Sequence, residues 1–387
     1  MPRLSPDVLA RRDDLVALRR DLHRHPELSW AEQRTGRQIT AFLETSAVSL
    51  RPVAGTGLLA STGSGRGPTV LLRVDMDALP IQEDQGRPYA SQVAGVMHAC
   101  GHDGHVAMGA VATRVLAARN LPGRVLMLFQ PAEEGEGGAQ AVVADGALEG
   151  VQAVMGVHLW NELPVGTLGV KPGPLMAAVD RLRITVHGRG GHGGTPHRSA
   201  DPVVAAAHVV TALQTVVARE TSPLQSVVVT IGSIHGGEAF NVIPDEVVLL
   251  GTIRTFDASL RTAMPERLAR IASGVAGALG CRAEVDVRNG NPAVVNDAGM
   301  ADAARAAALR VLDPPQVVVP EPTMGGEDMA VYFEQVPGCF VFVGSANAAR
   351  GLDQPHHSPR FDFDEDALLI GCEFLVAAAE EMLRRAG

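Results

Sequence analysis

Five short stretches of this sequence carry side chains able to bind a metal or move a proton. The densest is His98-Ala99-Cys100-Gly101-His102-Asp103-Gly104-His105, with three imidazoles, a thiol and a carboxylate in eight residues. Thiolate, imidazole and carboxylate together are what a transition-metal site needs. His102 and His105 share one face if a helix begins near Asp103. The second stretch is Gln130-Pro131-Ala132-Glu133-Glu134-Gly135. Adjacent carboxylates repel, so burial raises one pKa unless a cation neutralises the pair. A metal resolves that conflict: one Glu ligates while its neighbour deprotonates water. His158, in Val157-His158-Leu159-Trp160, and the pair His356-His357 before Ser358-Pro359 add further imidazoles. Asp75 and Asp77, in Val74-Asp75-Met76-Asp77, are ligands, orienters of the imidazoles or parts of a turn. Taken singly, each stretch has a bland reading: a helix cap, a solvated acidic turn, a core histidine, a surface pair. Their agreement favours the metal. Five or six good ligands exceed one tetrahedral shell, which points to two neighbouring ions.

The elements around these residues alternate. Thr69–Val74, Arg124–Phe129 and Ala153–Leu159 read as buried strands, and Asp103–Ala118 and Ala139–Ala147 as helices. Such alternation predicts an α/β layer with a mostly parallel sheet. Three of the candidate stretches directly follow its strands, where sites in open α/β sheets lie. Leu9–Leu22 reads as an N-terminal helix capped by Asp7. Near Pro174 the pattern changes. Strands at Val179–His187, Ser226–Ile234, Glu246–Thr255 and Arg282–Val287, with helices at Asp201–Ala218 and Ser259–Leu279, give the order β-α-β-β-α-β of a ferredoxin-like unit. A helix over Asp297–Leu312, a Phe340–Val343 strand and a last helix complete the chain. The expected organisation is therefore one catalytic domain, residues 1–178 and 293–387, interrupted by an inserted domain at 179–292.

Composition narrows the function classes. The chain has 387 residues, 46% of them hydrophobic, too apolar for disorder. Lys+Arg 33 against Asp+Glu 43 gives a net charge of −10, which argues against a nucleic-acid partner. Four scattered cysteines without a CxxC pair point to a reducing compartment rather than a disulfide scaffold. The N-terminus lacks an apolar signal core, and no uncharged apolar run reaches the roughly 18 residues of a membrane helix. A cytoplasmic protein without membrane contact is expected.

The insertion carries different chemistry. Gly188-Arg189-Gly190-Gly191-His192-Gly193 is a literal GxGxxG, but its flanks are not a dinucleotide-binding unit and no acidic residue stands about 20 positions on. The better reading is a glycine-lined loop presenting His192 to a substrate. Asn241 and Arg254 are candidate carboxylate binders, Arg through two parallel hydrogen bonds.

These motifs, from Leu22-His23-Arg24-His25-Pro26-Glu27 to His357-Ser358-Pro359-Arg360, resemble in order and spacing the co-catalytic metallopeptidase family of aminoacylases and carboxypeptidases. Within it the chain looks like the branch of hippurate hydrolases and indole-acetyl-amino-acid hydrolases. The resemblance implies a metallopeptidase catalytic domain with an inserted dimerisation or lid domain. It implies two divalent ions per subunit (zinc, manganese, cobalt or nickel) on Cys100, His102, Glu134, His158 and His357, with Cys100 bridging. Glu133 becomes the general acid and base, and His192 the oxyanion stabiliser, supplied by its own chain or a partner. Asn241 and Arg254 match binders of the substrate carboxylate, and Gly325 and Gly326 a loop lining its pocket. Asp75 and Asp77 support the ligands from behind. The implied activity is hydrolysis of small N-acyl amino acids by a homodimer or dimer of dimers. A dipeptidase or carboxypeptidase on the same site is the alternative. A thiol hydrolase using Cys100 as nucleophile is the rival in another class.

Overall fold

The computed structural model describes residues 2–84, 86–135 and 137–387. The chain forms two compact units: Met1–Gly173, Val295–Glu321 and Val331–Gly387 in the first, Pro174–Val294 and Pro322–Ala330 in the second.

Runs of Val, Leu, Met and Phe make the centre of the first unit. An eight-stranded sheet runs in the order Ser49–Val53, Gly57–Gly63, Arg124–Gln130, Thr69–Asp75, Ala153–Pro164, Gly338–Ala346, Leu168–Gly169, Val317–Val318. The strands Arg124–Gln130, Thr69–Asp75, Ala153–Pro164 and Gly338–Ala346 are mutually parallel. Parallel strands are covered on both faces, which is why they read as unbroken apolar runs. Val70, Leu71, Leu72 and Val74 are buried, as are Val125 to Phe129. Helices His102–Ala117 and Asp366–Ala386, themselves largely buried, supply part of that cover. The parallel strands share one carboxyl edge, so Asp75 and Gln130 finish there and His158 lies close by on the longer Ala153–Pro164 strand.

The N-terminal helix and an edge hairpin depart from the sequence expectation, and the helix Gln33–Leu43 was not expected either. The N-terminal helix begins not at Asp7 but as a Pro6–Leu9 turn capped by Ser5, whose Oγ accepts the Val8 amide at 3.4 Å. Serine before a proline at the first helical position is the stronger start signal. A separate helix, Arg12–Arg24, follows. The hairpin Ser49–Val53 and Gly57–Gly63 was not expected. Pro52 is tolerated because its strand lies at the sheet edge. The connection turns through Ala54 and Gly55, both at positive φ, without the Asn-Gly cue that marks such turns.

A buried ion network ties the Arg12–Arg24 helix to the rest of the unit. Arg19 is fully buried and donates to Asp103 (2.8 Å), Asp362 (2.8 Å) and Glu365 (3.2 Å). Burial opposes ionisation of Asp103 and Asp362, but the Arg19 guanidinium holds both carboxyls below their usual range. Arg19→Met removes the buried cation these carboxylates share, leaving Asp103 with His23 and Asp362 with Arg87 and Tyr89, and is expected to cost about 3 kcal/mol at neutral pH. A carboxylate with a depressed pKa contributes stability above its unfolded value of about 3.9 and loses it as the pH falls through the folded value. Denaturant melts should therefore show the deficit narrowing below about pH 4. A deficit that does not change with pH contradicts the network.

The second unit carries a four-stranded antiparallel sheet in the order Val227–His235, Glu246–Thr255, Ala178–His187, Arg282–Asn289. With helices Pro202–Arg219 and Ala258–Ala278 the chain order is β-α-β-β-α-β, the expected ferredoxin-like arrangement. Leu182, Ile184 and Val186 face the helices and their neighbours face out. Asp201 and Asp257 cap the two helices through the amides of Val203 and Leu260. Helix Pro202–Arg219 is the one helix among the described residues long and apolar enough to cross a membrane by length and composition. Its Val209, Leu213 and Val216 pack in the core of this unit.

Candidate metal centre

The Glu133–Glu134 turn is built by two other carboxylates. Strand Arg124–Gln130 ends, and Pro131 leads into Ala132 at φ 53°. Three successive amides are then held by carboxylates: Ala132 N–H donates to Glu32 (2.8 Å), Glu133 N–H to Asp77 Oδ1 (3.0 Å) and Glu134 N–H to Asp77 Oδ2 (2.9 Å). Ser29 completes the Asp77 shell at 2.6 Å. Both Asp77 oxygens are thus engaged in shaping the turn. Asp75 is engaged as well: Arg73 donates to Oδ2 at 2.7 Å and His105 Nδ1 lies 2.6 Å from Oδ1.

Helix His102–Ala117 begins at Gly101, whose φ of 89° suits glycine, and this turn sets Cys100 and His102 side by side. His102 Nδ1 donates to the Asp77 carbonyl at 2.9 Å, while its Nε2 is buried without a hydrogen-bond partner. His158 Nδ1 donates to the Leu159 carbonyl at 2.6 Å, leaving the Nε2 lone pair 3.5 Å from Cys100 Sγ. His357 has a left-handed backbone (φ 64°), donates its amide to Ala99 at 2.8 Å and brings Nε2 to 3.1 Å from Glu134 Oε1. Cys100, His102 and His158 offer donor atoms within 4.8 Å of one another. So do Cys100, Glu134 and His357, and so do His102, Glu133 and Glu134. Asp75, His102 and His105 form a further set; Cys100 is thus common to two of these sets and His102 to three.

The electrostatics call for a cation. Burial pushes the Cys100 thiol up, and Glu134, Glu133 and Asp75 push it further. Such a thiol needs a metal to become a thiolate, and without one is a poor nucleophile. Burial opposes protonation of His102, yet Asp75, Asp77 and Glu134 raise it to about 10. Burial, with His105 and His356 nearby, holds His158 neutral, the form that ligates. An orphaned imidazole nitrogen beside a thiol and carboxylates fits soft-to-borderline divalent metals.

The remaining sequence candidates lie in the second unit. The bridge Gly191–His192 pairs with Val242–Ile243, and Gly193 N–H donates to the Asn241 carbonyl at 2.8 Å, which brings His192 and Asn241 together. A Cβ on Gly193 would sit 3.0 Å from that carbonyl oxygen. Gly194 N–H donates to His192 Nδ1 at 2.9 Å, so Nε2 carries the proton and is presented on an exposed ring. Arg254 is half-buried, which lowers its pKa, and its Nε donates to Thr252 at 3.0 Å. Gly326 lies against it: a Cβ there would stand 2.1 Å from Val179 and 3.5 Å from Arg254 Nη1. Gly325 accepts the Ala177 amide at 2.9 Å.

Sequence reading missed Glu32, which holds the Ala132 amide and accepts from Thr56 at 2.6 Å. Its segment, Trp30-Ala31-Glu32-Gln33, carries no signal of that role. Arg73, fully buried inside a strand, was a detectable anomaly, since buried charges are paired. It donates to Asp75 and Gln130.

Known proteins resemble this chain over nearly its whole length. The profile of Peptidase family M20/M25/M40 matches residues 71–381. An N-acetylcysteine deacetylase of Bacillus subtilis is 44% identical over 370 residues, covering 94% of this chain and 96% of its own. An IAA-amino acid hydrolase of Arabidopsis thaliana is 38% identical, covering 97% of this chain and 88% of its own. Among solved structures, the YXEP protein of Bacillus subtilis, a dinuclear metal binding peptidase from the M20 family, superposes with a TM-score of 0.85. It is 39% identical, over 97% of this chain and 99% of that one.

Proposed function

The chain belongs to Peptidase family M20/M25/M40 as a metal-dependent amidohydrolase, and we propose that it cleaves the amide bond of N-acyl amino acids at a two-ion centre. The observation that carries this reading is the pair of donor sets sharing Cys100, with Glu133 beside a Glu134 that belongs to one of them. The deacetylase and IAA-amino acid hydrolase relatives support the substrate class.

Cys100, His102, Glu134, His158 and His357 are the proposed ligands of zinc, manganese, cobalt or nickel. Bound there, divalent ions lower the pKa of water from about 15.7 toward 7 and polarise the amide carbonyl. Glu133 takes the proton of the attacking water as the C–O bond forms. Asp77 fixes its backbone, so the carboxylate need not reorganise. His192 Nε2–H donates to the oxygen that gains charge, where one such donor is worth roughly 3–4 kcal/mol. As the C–N bond breaks, Glu133 returns the proton to the leaving amine, giving a carboxylic acid and a free amino acid. Arg254 and Asn241 hold the α-carboxylate, with Gly325 and Gly326 leaving room for the substrate. A homodimer through the second unit is supported by its exposed Ile234, Phe240 and Val242.

Arg254→Gln is expected to raise KM about 10- to 100-fold, since a hydrogen bond to a charged group is worth about 1.5–3 kcal/mol. Its kcat should change little, and steady-state kinetics on one N-acyl amino acid and its methyl ester check this. An equal KM ratio between acid and ester in both proteins removes the carboxylate role. The reading as a whole is tested by amino-acid release from a panel of N-acetyl, benzoyl and indole-acetyl amino acids and dipeptides. Release from the acyl substrates supports it, and release from dipeptides alone makes the protein a dipeptidase.

A further inference from the structure

Three imidazoles meet on the backbone of one residue. Leu159 follows His158 on strand Ala153–Pro164, and it is fully buried. The ladder from that strand to Thr69–Asp75 runs as far as Arg73 opposite Gly156, while the ladder to Gly338–Ala346 continues past Leu159. Buried backbone groups need partners, and at Leu159 side chains provide them. Its N–H donates to His105 Nε2 at 2.8 Å. Its carbonyl accepts from His158 Nδ1 at 2.6 Å and from His356 Nε2 at 2.9 Å.

These bonds fix the three tautomers. A backbone N–H can only donate, so His105 Nε2 is unprotonated and its proton is on Nδ1, facing Asp75 Oδ1 at 2.6 Å. A carbonyl can only accept, so His158 carries its proton on Nδ1 and His356 on Nε2. A chain of bonds therefore runs from the buried Arg73 through Asp75, His105 and Leu159 to His158. The His105 and His158 rings are 4.6 Å apart, edge to face, and His356 stacks on Trp160 at 4.9 Å. Both of His105's nitrogens are consumed by this chain, so density of imidazoles does not make it a ligand.

We propose that His105 and His356 are positioning residues: through the Leu159 backbone they hold His158 with Nε2 bare and aimed at Cys100, and His356 at the same time anchors the segment that carries His357. This rests on the ligand assignment above. The N–H and C=O of Leu159 belong to successive peptide groups, so His105 and His356 act by fixing the position of this backbone, and with it the carbonyl that His158 Nδ1 meets. Partners that orient a ligating histidine are typically worth 10- to 100-fold in metal affinity.

The test is cobalt(II) titration of the metal-free full-length protein, read by its visible absorption and by competition with a chelator, beside the melting temperature of the metal-free form. His105→Phe fills the site but accepts no hydrogen bond. It should raise the cobalt Kd about 10- to 100-fold and shift the absorption bands. His105→Gln retains an acceptor for Leu159 and a donor for Asp75, and should recover most of the affinity. His356→Phe should weaken cobalt binding in the same direction, and it replaces His105→Phe as the deciding variant if that protein does not fold. An unchanged Kd and spectrum with only a lowered melting temperature makes these histidines merely structural and overturns the proposal. The underlying ligand reading fails separately, when the wild type binds no cobalt or His158→Ala leaves its spectrum unaltered.

Discussion

Glu133→Gln is expected to keep the metals and lose turnover, with kcat down about 10³-fold. The substitution is isosteric, and the backbone bond from residue 133 to Asp77 does not depend on the side chain. What it removes is the proposed proton acceptor, and a positioned general base contributes about 10²- to 10⁴-fold. Loss here falls on kcat, because the base acts in the transition state rather than in binding. Metal content per chain and steady-state kinetics, measured on the same preparation, check both halves. A kcat within tenfold of wild type assigns the proton transfer to another group.

Cys100→Ala is the second large effect, and its signature is stoichiometry. Cys100 belongs to one donor set with His102 and His158 and to another with Glu134 and His357. Its removal should empty both positions and reduce activity by more than about 10³-fold, the loss expected when metal-assisted chemistry and its base fail together. His357→Ala should leave one ion, because the set of Cys100, His102 and His158 is intact. Counting bound zinc in the two variants distinguishes them. If Cys100→Ala retains two ions, the sulfur is not a bridge.

The sequence disclosed the chemistry more fully than its scaffolding. Cys100, His102, Glu133, Glu134, His158 and His357 were singled out by residue type and by the family resemblance, and their donor atoms fall into shared sets. Burial on both faces made those strands legible, and the alternation of Leu182, Ile184 and Val186 did the same for the second unit. Roles that depend on which atom faces which were beyond reach. His105 lies in the densest imidazole cluster, yet both its nitrogens are consumed by Asp75 and Leu159. His356 and His357 are adjacent, and one binds a carbonyl while the other meets Glu134. Glu32 acts on a turn 100 residues away. Such pairings are set by tertiary packing, and no local periodicity encodes them. The Ser49–Val53 hairpin was hidden for a local reason, a proline in an edge strand and a turn closed by alanine and glycine.

The most direct measurement is a metal titration of the stripped protein, following amino-acid release from an N-acetyl amino acid as zinc or manganese is added. The structure predicts no release from the metal-free protein and a rise that saturates at two ions per chain. Prior alkylation of Cys100 should block metal uptake, and a bound metal should protect the thiol. Activity that persists after metal removal but disappears when Cys100 is alkylated would contradict the account and make the protein a thiol hydrolase.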